Sequence, residues 1–127
     1  MSARLKFAIA DDHPLFRGAL KQALAGIDRE AIVLEAGGFE AAKSLVADQD
    51  DLDMLLLDLS MPGVSGLSGL ITMRGIRPEL PVVVVSAHDD PQTIRRALDL
   101  GASGFISKSM VMDAIRSAVP PVIAGGV

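Results

Sequence analysis

Four short, nearly continuous apolar runs recur along the chain: Phe7 to Ala10, Ile32 to Leu34, Met54 to Leu57 and Val82 to Val85. Runs this short, without polar alternation, read as strands covered on both faces, the condition of a parallel sheet. Gly104-Phe105-Ile106 is a fifth, weaker candidate. Between the runs lie helical patterns. Phe16, Ala19, Leu20, Ala23, Leu24 and Ile27 share one stripe at three- and four-residue spacing. A second helix is expected over Phe39 to Ala47 and a third over Gly66 to Ile76, where Gly69 and Gly75 weaken helix propensity. A fourth runs from Pro91 to Leu100, with Asp90 as N-cap, Pro91 at the first helical position and Gly101 just past the end. A fifth carries Val111, Ala114, Ile115, Ala118 and Val119 on one face before Pro120-Pro121 stops it.

Regular alternation of strand and helix implies right-handed crossovers and a doubly wound α/β fold with helices on both faces. At 127 residues, half of them apolar, the chain is long enough for one core and too short for two. Residues 1–119 form the expected domain. Residues 120–127 change to proline, glycine and small side chains and read as the start of a linker. A net charge of −4 with no basic stripe argues against nucleic acid binding by this domain alone. The absence of cysteine excludes disulfides and thiolate metal sites and suits a reducing cytoplasm. Met1 to Lys6 lacks a signal-peptide stretch and no run approaches roughly 20 apolar residues, so no membrane association is expected.

In an open doubly wound sheet the ligand site lies beyond the carboxyl ends of the strands. After the first run come Asp11, Asp12 and His13; after the third, Asp58; after the fourth, Ser86; after the fifth, Lys108. Carboxylates held a few ångströms apart repel, and all stay ionised at neutral pH only with a cation among them. A hard divalent ion is implied. Magnesium fits, because it takes carboxylate and carbonyl oxygens and keeps waters that an incoming phosphate oxygen can replace. Asp58 is the expected nucleophile, since an aspartate can form an acyl phosphate. Lys108 and the metal would offset charge on the transferred oxygens, and Ser86 would donate a hydrogen bond to one of them.

Asp11-Asp12, Asp58-Leu59-Ser60-Met61-Pro62-Gly63, Ser86-Ala87 and Lys108 together resemble the acidic pair, acceptor, hydroxyl and lysine of response-regulator receiver domains, in order and over essentially the whole chain. The resemblance implies a five-stranded parallel sheet of order 2-1-3-4-5, flavodoxin-like and CheY-like. It implies a sensor histidine kinase as partner, magnesium-dependent phosphorylation of Asp58, homodimerisation on phosphorylation, and control of transcription rather than enzymatic turnover. By resemblance, Asp12, Asp58 and the Ser60 backbone carbonyl bind the metal directly, while Asp11 acts largely through water. Ser86 and Phe105 fall at the switch positions. The segment Ala97 to Lys108 is most similar to receivers that precede a LuxR-type helix-turn-helix domain. Two positions depart from the family pattern. Ser109 stands where many relatives have proline, and Phe105 stands where tyrosine is common.

Each residue also has a plainer reading. Asp11 or Asp12 serves equally as an N-cap for the helix near Pro14, and Asp58 to Gly63 as an ordinary turn. Lys108 reads as a surface lysine and Ser86 as a common strand-end serine; His13 and His88 read as solvent-facing loop residues. A haloacid-dehalogenase-like phosphatase would need an aspartate at Ser60. A Ser86-His88 hydrolase would need elbow glycines that Val84-Val85-Ser86-Ala87-His88 lacks. A flavodoxin-like cofactor binder would place phosphate where Asp11-Asp12 repel it. The remaining alternative is a receiver-like interaction module that does not accept phosphate.

Overall fold

The structure is a computed structural model that describes residues 5–64, 66–88, 90–110 and 122–123. Strands β1 (Lys6–Ala10), β2 (Ile32–Ala36), β3 (Met54–Asp58), β4 (Val82–Ser86) and β5 (Gly104–Ser107) alternate with helices α1 (Pro14–Ile27), α2 (Phe39–Asp48), α3 (Ser68–Ile76) and α4 (Pro91–Asp99). The strands form one parallel sheet of order β2-β1-β3-β4-β5. The doubly wound fold expected from the sequence is present.

The three central strands are buried along both faces because alternate residues feed two cores. Phe7, Ile9, Met54, Leu56, Val83, Val85 and Ile106 pack with Leu20, Ala23 and Leu24 of α1. Ala8, Ala10, Leu55, Leu57, Val82 and Val84 pack with Phe39, Ala42 and Val46 of α2, Leu70 and Met73 of α3, and Ala97 of α4. The split follows from handedness. The step from β1 to β2 runs across the sheet in one direction and the next three steps run in the other, so right-handed crossovers put α1 on one face and α2, α3 and α4 on the opposite face. β2 lies at the edge, and its Ile32 and Glu35 remain exposed.

All five strands reach further than their apolar runs: β1 begins at Lys6, β2 continues to Ala36, β5 to Ser107, and β3 and β4 end on Asp58 and Ser86, so those two polar residues close their strands rather than follow them. α2 extends one residue, to Asp48. α3 starts at Ser68, two residues later than expected, because Gly66 has φ +55 in the left-handed region, outside a right-handed helix. Asp90 caps α4 as its sequence indicates, accepting the Thr93 N–H at 3.1 Å. α4 stops at Asp99, one residue early, and Gly101 follows with φ +101. A Cβ there would also lie 2.8 Å from Arg74 Nε. The expected fifth helix, residues 111–119, lies outside the described residues. Of the tail assigned to a linker, Val122 and Ile123 are helical, and both pack with the α1-side core.

Leu70 and Ile71 are neighbours on α3, but Leu70 is fully buried and Ile71 is 54% exposed. Leu70→Ala should lower the unfolding free energy by about 2–5 kcal/mol in urea titrations. Ile71→Ala should change it by less than about 1 kcal/mol. Equal losses would contradict the assignment of faces.

Candidate functional site

The carboxyl edge of the sheet collects Asp11 and Asp12 after β1, Asp58 at the end of β3 and Lys108 after β5. β1 and β3 are direct neighbours, with Ala10 paired to Leu57, so the acidic residues that follow come together. Asp11 and Asp58 are each 1% exposed, and Asp12 is partly buried. One donor atom from each of Asp11, Asp12, His13 and Asp58 lies within 4.8 Å of every other.

Backbone groups hold one oxygen of each buried carboxylate. Asp11 Oδ1 accepts the His13 N–H at 2.7 Å, and Asp58 Oδ1 accepts the Ser60 N–H at 3.0 Å. The other oxygens, Asp11 Oδ2 and Asp58 Oδ2, together with Asp12 Oδ1, are buried without a hydrogen bond. Lys108 Nζ sits 3.1 Å from Asp11 Oδ2 and 3.3 Å from Asp58 Oδ2, at ion-pair distance but without hydrogen-bond geometry. Its ammonium also lies 4.6 Å from the centre of the Phe16 ring on α1. The lysine expected at this edge is therefore largely buried, as the first residue of a 3-10 turn, Lys108–Met110. No cis peptide bond occurs among the described residues.

Burial pushes the Asp58 carboxyl above the ordinary aspartate range; the Ser60 N–H pulls it down, Asp11 raises it and Lys108 lowers it. Desolvation prevails because one ammonium faces more than one carboxylate. A divalent cation fits this donor set. Asp11 Oδ2 and Asp12 Oδ1, both buried without hydrogen bonds, lie beside the Asp58 carboxylate, and each is the kind of hard donor that magnesium accepts.

Neither Asp11 nor Asp12 caps α1: the N-cap is His13, whose side chain makes no capping bond to the helix. Ser86 is fully buried, and its Oγ accepts the His88 N–H at 3.0 Å. Strand alternation puts Ser86 on the α4 side of the sheet with Val84, whereas Asp58 shares the α1 side with Leu56. Phe105, paired with Val84, packs half-buried against the α4-side core. Ser60 joins the cluster through its N–H, and it also lines a cavity of about 460 Å³ with Leu59, Val64, His88, Thr93 and Arg96.

Three contributors escape a reading of the sequence. His13, expected to face solvent, has a side chain 61% exposed, yet its Nδ1 lies 3.1 Å from Asp12 Oδ1. Its position directly after the acidic pair was the available signal. Phe16 is legible only as part of an apolar stripe. Arg17 donates to the Asp11 carbonyl at 2.7 Å and pairs with Glu35 at 3.1 Å, fixing the Asp11–Asp12 peptide against β2. No helix among the described residues is long and apolar enough to cross a membrane.

Residues 7–120 match the family described as response regulator receiver domain. The chain is 43% identical over 122 residues to a glycerol metabolism activator of Pseudomonas putida, covering 96% of this chain and 55% of that protein. It is 35% identical to the transcriptional regulatory protein DegU of Brevibacillus brevis, covering 97% of this chain and 52% of the relative. The chain thus spans about half the length of these relatives. The signal receiver domain of NarL from Mycobacterium tuberculosis superposes with a TM-score of 0.83 at 33% identity, covering 98% of this chain and 99% of that one.

The raised Asp58 pKa has a consequence for stability. Ionised Asp58 is less favourable in the fold than in the unfolded chain, so its cost is present above the raised pKa. That cost fades as pH falls through the raised pKa and is gone below the unfolded value. Asp58→Asn keeps the acceptor for Ser60 N–H and removes the charge. In EDTA at neutral pH it should melt several degrees above wild type, with the gap closing toward about pH 4. A lower melting temperature for Asp58→Asn across that range would refute the crowding of the cluster.

Proposed function

Since this chain belongs to the response regulator receiver domain family, we propose that it accepts a phosphoryl group on Asp58 from the phosphoimidazole of a sensor histidine kinase and changes its output surface in response. The observation that carries this reading is the division of labour between the two Asp58 oxygens. Oδ1 is tied to the Ser60 N–H, while Oδ2 is buried, has no hydrogen bond and faces Lys108 at 3.3 Å. Oδ2 is the attacking oxygen. As its bond to phosphorus forms, the phosphorus–nitrogen bond of the donor breaks and the electron pair returns to the imidazole. Lys108 lies close enough to follow the negative charge onto the transferred oxygens. Magnesium, held by Asp12, Asp58 and the Ser60 carbonyl and by Asp11 through water, would supply further positive charge at those oxygens. Arg17 keeps the Asp11–Asp12 peptide in place.

For output, the Ser86 hydroxyl turns toward a phosphoryl oxygen and releases the His88 N–H it now accepts. The half-buried Phe105, on the same side of the sheet, then repacks beside α4. The relatives are named as activators and transcriptional regulators of about twice this length. This supports a receiver that governs a further, DNA-binding part of a transcription regulator, located in the cytoplasm and dimerising on phosphorylation. A receiver-like module that ignores phosphate is the competing reading.

Intact mass after incubation with acetyl phosphate and magnesium separates the two. Wild type should gain one phosphoryl group; Asp58→Ala, or wild type in EDTA, should gain none. In the phosphorylated sample, amide exchange over residues 91–107 should change. An unmodified wild type, or a modified Asp58→Ala, would overturn the proposal.

A further inference from the structure

His13 is the member of the cluster to which phosphoryl transfer gives no task. Its Nδ1 lies 3.1 Å from Asp12 Oδ1, 3.3 Å from Asp11 Oδ1 and 3.5 Å from Lys108 Nζ. The bond from its own N–H to Asp11 Oδ1, at 2.7 Å, closes the turn that brings the ring over the carboxylates. Opposite the ring, Asp11 and Asp58 are buried and each has an oxygen without a hydrogen bond. Four donors, one nitrogen and three carboxylate oxygens, therefore surround one small volume. Among the described residues one ammonium, that of Lys108, pairs with Asp11 and Asp58, and with Asp12 beside them a divalent charge is what balances the remainder.

An imidazole does little for magnesium, which binds through oxygen and water. It contributes strongly to the later first-row ions, whose affinity for nitrogen donors rises along the series to copper and stays high at zinc. Building on the reading that this cluster holds a divalent ion, we propose that His13 makes it a competing site for ions of the imidazole-binding class, with zinc as the probe. Zinc held by His13, Asp11, Asp12 and Asp58 would have the closed four-coordinate shell of a structural site, leaving no position for a phosphoryl oxygen. Magnesium keeps exchangeable waters and supports transfer; zinc in the same place blocks it. His13 thereby sets how strongly ions of this class inhibit phosphorylation.

The chain suits a direct test, because it has no cysteine and only two histidines, His13 and His88. The His13 side chain makes no capping bond to α1, so replacing it leaves the helix start intact. Zinc and magnesium would be titrated calorimetrically into wild type, His13→Ala and His88→Ala, with cobalt as a visible-absorption probe of nitrogen coordination. His13→Ala should bind zinc at least roughly tenfold more weakly, lose the wild-type cobalt spectrum and keep its magnesium affinity. His88→Ala should behave as wild type. Zinc should also suppress phosphorylation by acetyl phosphate in wild type much more than in His13→Ala. Equal zinc affinity in wild type and His13→Ala, or an equal loss in His88→Ala, would overturn the assignment of His13 while leaving Asp58 as acceptor untouched. A wild type that binds neither zinc nor magnesium would overturn both readings together.

Discussion

Two aspartates, Asp11 and Asp58, are buried at the end of a parallel sheet, with Asp12 beside them and one lysine for compensation. Taking carboxylates out of water costs several kcal/mol each unless charge and hydrogen bonds replace the lost solvent. The replacement here is incomplete: one oxygen of each buried aspartate receives a backbone N–H, and the other receives only the ion pair to Lys108. The raised Asp58 pKa expresses that deficit. An arrangement that is expensive without a cation and relieved with one is suited to binding a divalent ion and an incoming phosphoryl group.

The fold makes the crowding unavoidable. β1, β3 and β4 are buried on both faces, so a charged residue is tolerated only where a strand ends, and the parallel arrangement puts all carboxyl ends on one edge. The pairing of Ala10 with Leu57 then sets the acidic pair beside Asp58. Around it, Arg17 grips the Asp11 carbonyl and Glu35, and Phe16 backs the Lys108 ammonium. These contacts tie the site to α1 and the edge strand β2. The Oγ of Ser86 and the ring of Phe105 lie instead toward α4, on the other side of the sheet. The acidic cluster and the proposed readout residues therefore lie toward opposite faces of the sheet.

Much of this was legible in the residues. Continuous apolar runs disclosed the doubly buried β1, β3 and β4, although the run at Ile32 to Leu34 forms the partly exposed edge strand β2, and Asp90-Pro91 with Gly101 disclosed α4 nearly to its ends. The start of α3 was misjudged because Gly66 adopts a left-handed conformation, which a glycine permits without requiring. Asp11, Asp12, Asp58 and Lys108 could be brought to one edge from sequence order alone, since topology governs where strand ends meet. The seating of His13 depended on a ring torsion and an Asx-type turn, and the contacts of Phe16 and Arg17 on the rotation of α1 about its axis. Such details arise from packing, and a periodic pattern carries no information about them.

The crowding itself is open to direct observation in a pH titration of the side-chain carboxyl carbons, using carbon-13-labelled aspartate and magnesium-free protein. The signal that disappears in Asp58→Asn should titrate above the ordinary aspartate midpoint of about 3.9, and its midpoint should fall when magnesium is added. A midpoint at or below the ordinary value without metal, unmoved by magnesium, would contradict a cluster built from under-compensated buried carboxylates.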